Sequence, residues 1–223
     1  MKIISSLILA IALTAAFLTG YFFPKKIASS PVNTLHASPM GSRVFNVNSA
    51  LPDFSVYNDV KQKKADFFAY MLPRIQKANQ LISKERKWLK DLLSQDSQFE
   101  QSQVNQLLAL SDKYKVKVLN PNDMVAELLV RIDSIPASLV LAQAANESAW
   151  GTSRFAKQGN NLFGQWCYVK GCGMIPKSRG NNQHHEVASF DNIQQSINSY
   201  MRNLNSQSSY KDLRVLRKKM RES

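Results

Sequence analysis

The segment from Ser134 to Gly164 constrains the fold of this chain most strongly, because it predicts one short helix with defined ends. Residues 137–150 are mostly small, helix-forming residues, and Gly151 predicts where the helix stops. Ser134 is expected to cap the start of this helix. Pro136 suits the first turn, since a backbone N–H is not needed there.

Glu147 is the only acidic residue of this predicted helix. The residues seven, four and three positions before it lie on the same face, and they are Val140, Gln143 and Ala144. A carboxylate on a largely apolar face, at the negative end of a helix, should resist ionisation. A general acid must keep its proton at neutral pH. We therefore expect Glu147 to be a general acid; the alternative is an acid at a helix end that only contacts solvent.

The residues around Glu147 form the motif A-x-A-x-x-E-S-x-W-G, and N-N-L-F-G follows at residues 160–164. Together they resemble the catalytic core of bacterial cell-wall N-acetylglucosaminidases of glycoside hydrolase family 73, the mannosyl-glycoprotein endo-β-N-acetylglucosaminidase-like domain. The run N-L-F-G-Q-W-C-Y-V-K-G-C-G at residues 161–173 is most similar to the Bax-type bacterial proteins of this group. The resemblance covers about residues 124–217.

This resemblance implies a mainly α, lysozyme-like domain with a small β-lobe, which cleaves β-1,4 linkages at N-acetylglucosamine in peptidoglycan. Glu147 takes the place of the catalytic acid. Such hydrolysis needs a second group, and Glu186 lies where the family's β-lobe supplies one. Asp191 is a reserve candidate, although it could equally cap a helix. The third alternative is that the acetamido group of the sugar acts as the nucleophile.

Sugar rings have apolar faces, so aromatic side chains are expected along the substrate groove. Two of them match family motif positions, namely Phe163 in N-x-F-G and Tyr200 in S-I-x-x-Y. The predicted sugar-binding aromatics are Trp150, Phe163, Trp166, Tyr168 and Tyr200. Each of them could instead be part of the core. Asn160 and Asn161 are predicted either to bind an N-acetyl group or to hold the turn.

Cys167 and Cys172 are the only cysteines of the chain, and they are five residues apart. A single nearby pair in an exported protein predicts a disulfide that shapes a local loop. A metal site that adds His184 and His185 is the alternative, but this spacing matches no familiar zinc pattern. We therefore expect neither a metal nor a cofactor.

An apolar run from Ile3 to Phe23 follows Lys2 and is closed by Pro24, Lys25 and Lys26. About 20 such residues can span a bilayer, and a positive N-terminus is typical of export signals. Residues 1–26 are thus predicted to be a signal peptide or an inner-membrane anchor, and residues 27–56 a flexible linker. The remainder is expected to be periplasmic or secreted, and monomeric.

The formal net charge of the chain is +13. The positive charge is concentrated in residues 61–90 and 211–221, and no nucleic-acid-binding motif accompanies it. We expect attraction to the anionic cell envelope, with peptidoglycan as partner; solvated basic helices are the alternative.

Helical periodicity continues outside the segment around Glu147. Residues 57–120 are predicted to form a helical arm, with a first helix from Asn58 to Leu93 that Pro73 kinks or divides. Further helices are expected at 97–114, at 120–132, after Asp191 or Asn192, and from Lys211, with a small β-lobe at 165–189.

The domain at residues 121–223 is expected to be shortened, because the family's domain continues through a further helix. Two other functions therefore stay open. One is a catalytically impaired peptidoglycan-binding or scaffold protein, and the other is an amidase that acts on the peptide–sugar link.

Overall fold

The computed structural model describes residues 43–95, 98–177, 179–180 and 183–222. The apolar run at residues 3–23 lies outside these ranges, so the signal or anchor stays a prediction. Within the described ranges, no helix combines the length and the apolar character needed to cross a membrane.

A 34-residue helix, α1 (Val60–Leu93), is the longest described element and packs against three of the later helices. It begins where the side chain of Asp59 accepts hydrogen bonds from the backbone N–H groups of Lys61 and Gln62. The helix runs through Pro73 without interruption, so of the two predicted effects of this proline, division of the helix is wrong and a kink stays a prediction. Buried side chains on both sides of the proline, including Met71 and Ile75, anchor this stretch in the core.

Four further helices share one hydrophobic core with α1. They are α2 (Gln101–Tyr114), α3 (Pro121–Arg131), α4 (Ala137–Glu147) and α6 (Ile193–Ser206). A short helix, α5 (Arg154–Gly159), joins α4 to the β-lobe, and α7 (Lys211–Glu222) follows α6. Within the described residues, α1 and α2 belong to the same compact unit as the later helices.

The β-lobe is a three-stranded antiparallel sheet in the order β1–β3–β2. Its strands are β1 (Trp166–Cys167), β2 (Gly173–Met174) and β3 (Glu186–Ala188). Cys167 pairs with Glu186 across β1 and β3, and Gly173 pairs with Ala188 across β2 and β3. The predicted fold class, mainly α with a small β-lobe, is confirmed.

The helix α4 ends three residues earlier than the sequence predicts. Ala149 and Trp150 have φ angles of 51° and 59°, and Gly151 has 78°, so the chain turns left-handed directly after Ser148. Pro136 occupies the N-cap position, and Ser134 does not cap the helix as predicted. Glu147 is therefore the last helical residue, at the start of a tight turn.

The basic residues of α7 fix this helix to the core by hydrogen bonds and an ion pair. Arg217 Nη2 donates to Asn205 Oδ1 (2.8 Å) and to the carbonyl of Arg131 (3.2 Å). Arg131 in turn donates to the carbonyl of Ser206 (2.9 Å) at the end of α6. Arg221 also pairs with the buried carboxylate of Asp133. Part of the positive charge is thus structural.

Candidate active site around Glu147

A rigid turn holds Glu147. The buried hydroxyl of Ser148 donates to the carbonyl of Ala144 (2.6 Å) and accepts from the N–H of Gly151 (2.8 Å). An added Cβ on Gly151 would lie 2.8 Å from the Phe54 ring, so the turn and the core fit closely. These contacts fix the backbone on the C-terminal side of Glu147.

The side chain of Glu147 is exposed, so the expected shielding by an apolar face is wrong. The physical reason is the early helix end: Val140 and Ala144 are buried in the core, whereas Glu147 is at the rim. Among the described residues, no side chain or backbone group forms a hydrogen bond or ion pair with its carboxylate. The carboxylate is consequently available to a ligand.

Two elements approach Glu147 from the later part of the chain. A Cβ added to Gly164 would lie 3.7 Å from Glu147 Oε2, which brings the turn at 160–164 beside the carboxylate. Tyr200 on α6 stacks on Phe163 with ring centroids 4.1 Å apart and an interplanar angle of 3°. Glu147, Phe163, Gly164 and Tyr200 therefore form one cluster, which we call the Glu147 cluster.

Tyr200 keeps its proton at every working pH. Burial, followed by the nearby Tyr210 and Glu147, raises the pKa of Tyr200 to about 12. Its hydroxyl can thus donate a hydrogen bond to a ligand beside Glu147.

Asn161 holds the turn that carries Phe163 and Gly164. Its Oδ1 accepts from the N–H groups of Phe163 and Gln165, and its Nδ2 donates to the carbonyls of Gln165 and Ala188. These four bonds use the whole hydrogen-bonding capacity of the amide. Asn160 Nδ2 donates to the carbonyl of Phe190 (2.8 Å). The turn-holding alternative is therefore favoured for both asparagines over contact with sugar.

The sequence did not single out Gln165, which links this turn to α6. Its Nε2 donates to the carbonyl of Ser196 (3.0 Å), and its Oε1 accepts from Asn203 Nδ2 (3.1 Å). No local pattern marks such a residue, because its partners are 31 and 38 positions away in the chain.

The predicted aromatic residues divide into three groups. Phe163 and Tyr200 belong to the Glu147 cluster, whereas Trp150 packs against Phe67 and Phe68 with centroids 5.6 and 5.3 Å apart. Trp166 and Tyr168 are exposed and line a cavity of about 650 Å³ on the β-lobe. Trp166 also stacks on His185 at 4.1 Å. The backbone of residues 164–166 connects the cavity of the β-lobe, which Trp166 lines, to the Glu147 cluster, which includes Gly164.

Glu186 anchors the loop that precedes it. The Cys167–Cys172 disulfide is present as predicted, with a Cα–Cα distance of 6.3 Å. Glu186 Oε1 accepts from the N–H of Gly171 (3.0 Å), and Oε2 accepts from the N–H of Gly173 (2.8 Å). These two backbone bonds hold the pKa of Glu186 below its usual range. The ionised carboxylate of Glu186 therefore stabilises the β-lobe at neutral pH, and this stabilisation is lost only as the pH falls through the lowered pKa.

The other groups proposed from sequence are also engaged. Asp191 Oδ2 accepts from Gln195 Nε2 (2.9 Å) at the start of α6, where Asn192 caps the helix. Cys167, Cys172 and Glu186 bring potential metal-ligand atoms within 4.8 Å of one another. Both sulfur atoms form the disulfide, however, and a disulfide offers no thiolate ligand.

Comparison with known proteins gives an independent result. Residues 123–222 match the glucosaminidase family, described as mannosyl-glycoprotein endo-beta-N-acetylglucosaminidase. The chain is 34% identical over 179 residues to Protein bax of Escherichia coli (strain K12). The matched region covers 79% of this chain and 63% of that protein. The chain thus spans less than two thirds of the length of this curated relative. No solved structure matches significantly.

Proposed function

We propose that this chain, which matches the glucosaminidase family over residues 123–222 and is similar to Protein bax, is a peptidoglycan hydrolase with Glu147 as its general acid. The family supports a glycosidase-type enzyme related to peptidoglycan. The finer proposal is that the enzyme cleaves β-1,4 linkages at N-acetylglucosamine. Because disulfides persist in oxidising compartments, the Cys167–Cys172 bond supports a location outside the cytoplasm.

The observation that carries this proposal is the free carboxylate of Glu147 within its cluster. The turn after Ser148 fixes its backbone, Gly164 leaves open space where a side chain would stand, and Tyr200 offers a protonated hydroxyl. A leaving glycosidic oxygen that binds in this space takes a proton from the protonated carboxyl group of Glu147, which becomes the carboxylate. The exposed rings of Trp166 and Tyr168 provide an adjacent surface for further sugar units.

For the second chemical role, we favour the acetamido group of the substrate. Both carboxylate oxygens of Glu186 accept backbone hydrogen bonds, and Asp191 is bonded to Gln195. Neither carboxylate is free to attack the sugar or to activate water without giving up these contacts. In a substrate-assisted route the acetamido oxygen bonds to the anomeric carbon as the glycosidic C–O bond breaks, and the leaving oxygen takes the proton of Glu147. Water then opens the cyclic intermediate and returns a proton to Glu147, so Glu147 is the only carboxylate required. Glu186 is then a positioning residue for the β-lobe.

A comparison of two loop variants tests this role of Glu186. Glu186→Gln and the double variant Cys167→Ser/Cys172→Ser both loosen the loop at residues 167–173, so we expect them to lower kcat on peptidoglycan to a similar extent, less than about a hundredfold. The two pH–rate profiles should also have the same shape. If Glu186 were a catalytic group, Glu186→Gln would abolish activity and remove one limb of the profile, while the double variant would stay active.

The bond cleaved is tested by digestion of purified peptidoglycan with the full-length chain. The products are reduced with borohydride and identified by mass spectrometry. We expect new reducing ends at N-acetylglucosamine. Reduced muramic acid ends would indicate the other glycosidic bond, and released peptides with intact glycan would indicate the amidase alternative. Glycan that binds the protein but stays intact would favour the binding or scaffold alternative.

A further inference from the structure

A positively charged cavity lies between the α2–α3 loop, α3 and the segment that joins α6 to α7. Its volume is about 710 Å³, and none of its lining residues belongs to the Glu147 cluster. Five basic residues line it, namely Lys115, Lys117, Arg131, Lys211 and Arg214. The proposed glycosidase reaction has no need of this cavity.

The positive charge in the cavity is not balanced by the described residues around it. Glu127 is the one acidic lining residue, and it is paired with Arg131 at 2.9 Å. Arg214 is buried and donates to the carbonyls of Leu204 (3.1 Å) and Gln207 (2.7 Å), which carry no net charge. Burial, followed by the nearby Arg131, lowers the pKa of Arg214, and the nearby Glu127 only partly opposes this shift.

The three lysines are exposed and have no ion-pair partner among the described residues. Lys115 and Lys117 belong to the α2–α3 loop, and Lys211 is the first residue of α7. The ion pair of Glu127 and Arg131 is neutral, so the three lysines and Arg214 give the lining of the cavity an excess of four positive charges.

Aliphatic side chains project from the same loop. Leu119 is 88% exposed, and Val118, which lines the cavity, is 39% exposed. The loop is short and fixed, because Lys115 ends α2 in a left-handed conformation and Asn120 caps α3. An apolar tip next to unpaired lysines is the arrangement by which proteins bind the surface of an anionic bilayer: aliphatic groups enter the interface, while cations contact headgroup phosphates.

We propose that this lysine–leucine face (Lys115, Lys117, Val118, Leu119 and Lys211) docks the protein on an anionic lipid bilayer. Headgroup phosphates occupy the basic cavity, and Leu119 inserts at the boundary of the acyl chains. A soluble polyanion would also be attracted by the lysines. It would gain nothing from the exposed Leu119, so the lipid surface explains more of what is observed.

The disulfide makes a site-specific test simple. The chain has two cysteines, and both are in the disulfide, so one introduced cysteine is the only free thiol. Leu119→Cys in the full-length chain is labelled with an environment-sensitive fluorophore and mixed with phosphatidylcholine vesicles, with or without phosphatidylglycerol. We expect brighter, blue-shifted emission only with the anionic vesicles. The same label at Val56→Cys, which is also exposed but lies before α1, should not respond.

Neutralising variants then test the lysines. In the labelled chain, Lys115→Gln/Lys117→Gln should lower the docking equilibrium constant about 25-fold, since each lysine near an anionic membrane contributes roughly a fivefold factor. The matched control Lys61→Gln/Lys77→Gln removes the same charge from α1, where neither lysine lines the basic cavity, and should change the docking equilibrium constant less than about twofold.

Three outcomes would overturn the proposal. The label at position 119 could fail to respond to either vesicle, or it could respond equally to neutral vesicles, which would remove the role of the phosphates. The third is lysine-dependent binding of soluble polyphosphate without any vesicle response. That result would assign the cavity to a soluble polyanion instead.

Discussion

Glu147→Gln is expected to lower the rate of peptidoglycan cleavage by about a hundredfold to ten-thousandfold, the range that a general acid supplies. The amide has nearly the same shape as the carboxyl group but cannot transfer a proton to the leaving oxygen. In the folded protein, Glu147 is exposed and has no hydrogen-bond partner among the described residues. Its replacement therefore leaves no buried group unpaired, and the free energy of unfolding should change by less than about 0.5 kcal/mol.

The measurement is the initial rate of appearance of reducing ends, together with thermal unfolding and a pelleting assay for peptidoglycan binding. Asp112→Asn, an exposed carboxylate on α2, is the matched control and should keep full activity. The Glu147→Gln variant should still pellet with peptidoglycan, because the aromatic surface of the β-lobe is unchanged. Wild-type activity in this variant would refute the assigned role, whereas inactivity of the wild type itself, with binding retained, would favour the scaffold alternative.

Features fixed by contacts within a few residues could be predicted from the sequence. Asn192 caps α6 by accepting from the N–H of Gln195, three residues later, and the disulfide of Cys167 and Cys172 closes a five-residue separation. The start of α3 after Asn120 has the same local origin. In each case the residues that decide the structure are neighbours in the chain.

The end of α4 depended on distant residues. Trp150 adopts a left-handed conformation although it is not glycine, and its ring packs on Phe67 of α1. The turn is closed by Ser148 and fitted against Phe54, nearly a hundred positions earlier. Since tertiary packing outweighs local preference here, the sequence predicted a longer helix and a shielded Glu147. The hydrogen bond from Arg131 to the carbonyl of Ser206 was not predictable either, because the two residues are 75 positions apart in the chain.

The candidate site was predicted in part. The motif identified Glu147, Phe163 and Tyr200, which the fold brings together. The roles of Asn161 and Glu186 could not be decided from sequence, because the side chain of a polar residue can bind either a ligand or the backbone. Their hydrogen bonds to loop backbone groups give both of them a structural task.

Gly173→Ala is expected to disrupt the β-lobe while the helical core stays folded. An added Cβ would collide with the carbonyl oxygen of Val187 and lie 2.6 Å from its carbonyl carbon. These atoms belong to the paired strand β3, so no side-chain rotation can relieve the contact. The N–H of Gly173 is also one of the two donors to Glu186. Loss of the β2–β3 pairing would therefore release the disulfide loop and move Trp166 and Tyr168 away from the Glu147 cluster.

We expect Gly173→Ala to lower peptidoglycan cleavage about a hundredfold through misplacement of the sugar-binding surface, with an unchanged helical signal in circular dichroism. Gly180→Ala is the matched control in the same lobe. Its added Cβ would meet only the side chain of Gln183, at 3.9 Å, which is ordinary contact. Hydrogen exchange should then be faster at residues 166–174 in the Gly173 variant alone. Full activity with faster exchange would mean that the β-lobe does not take part in substrate binding, and cleavage would depend on the Glu147 cluster by itself.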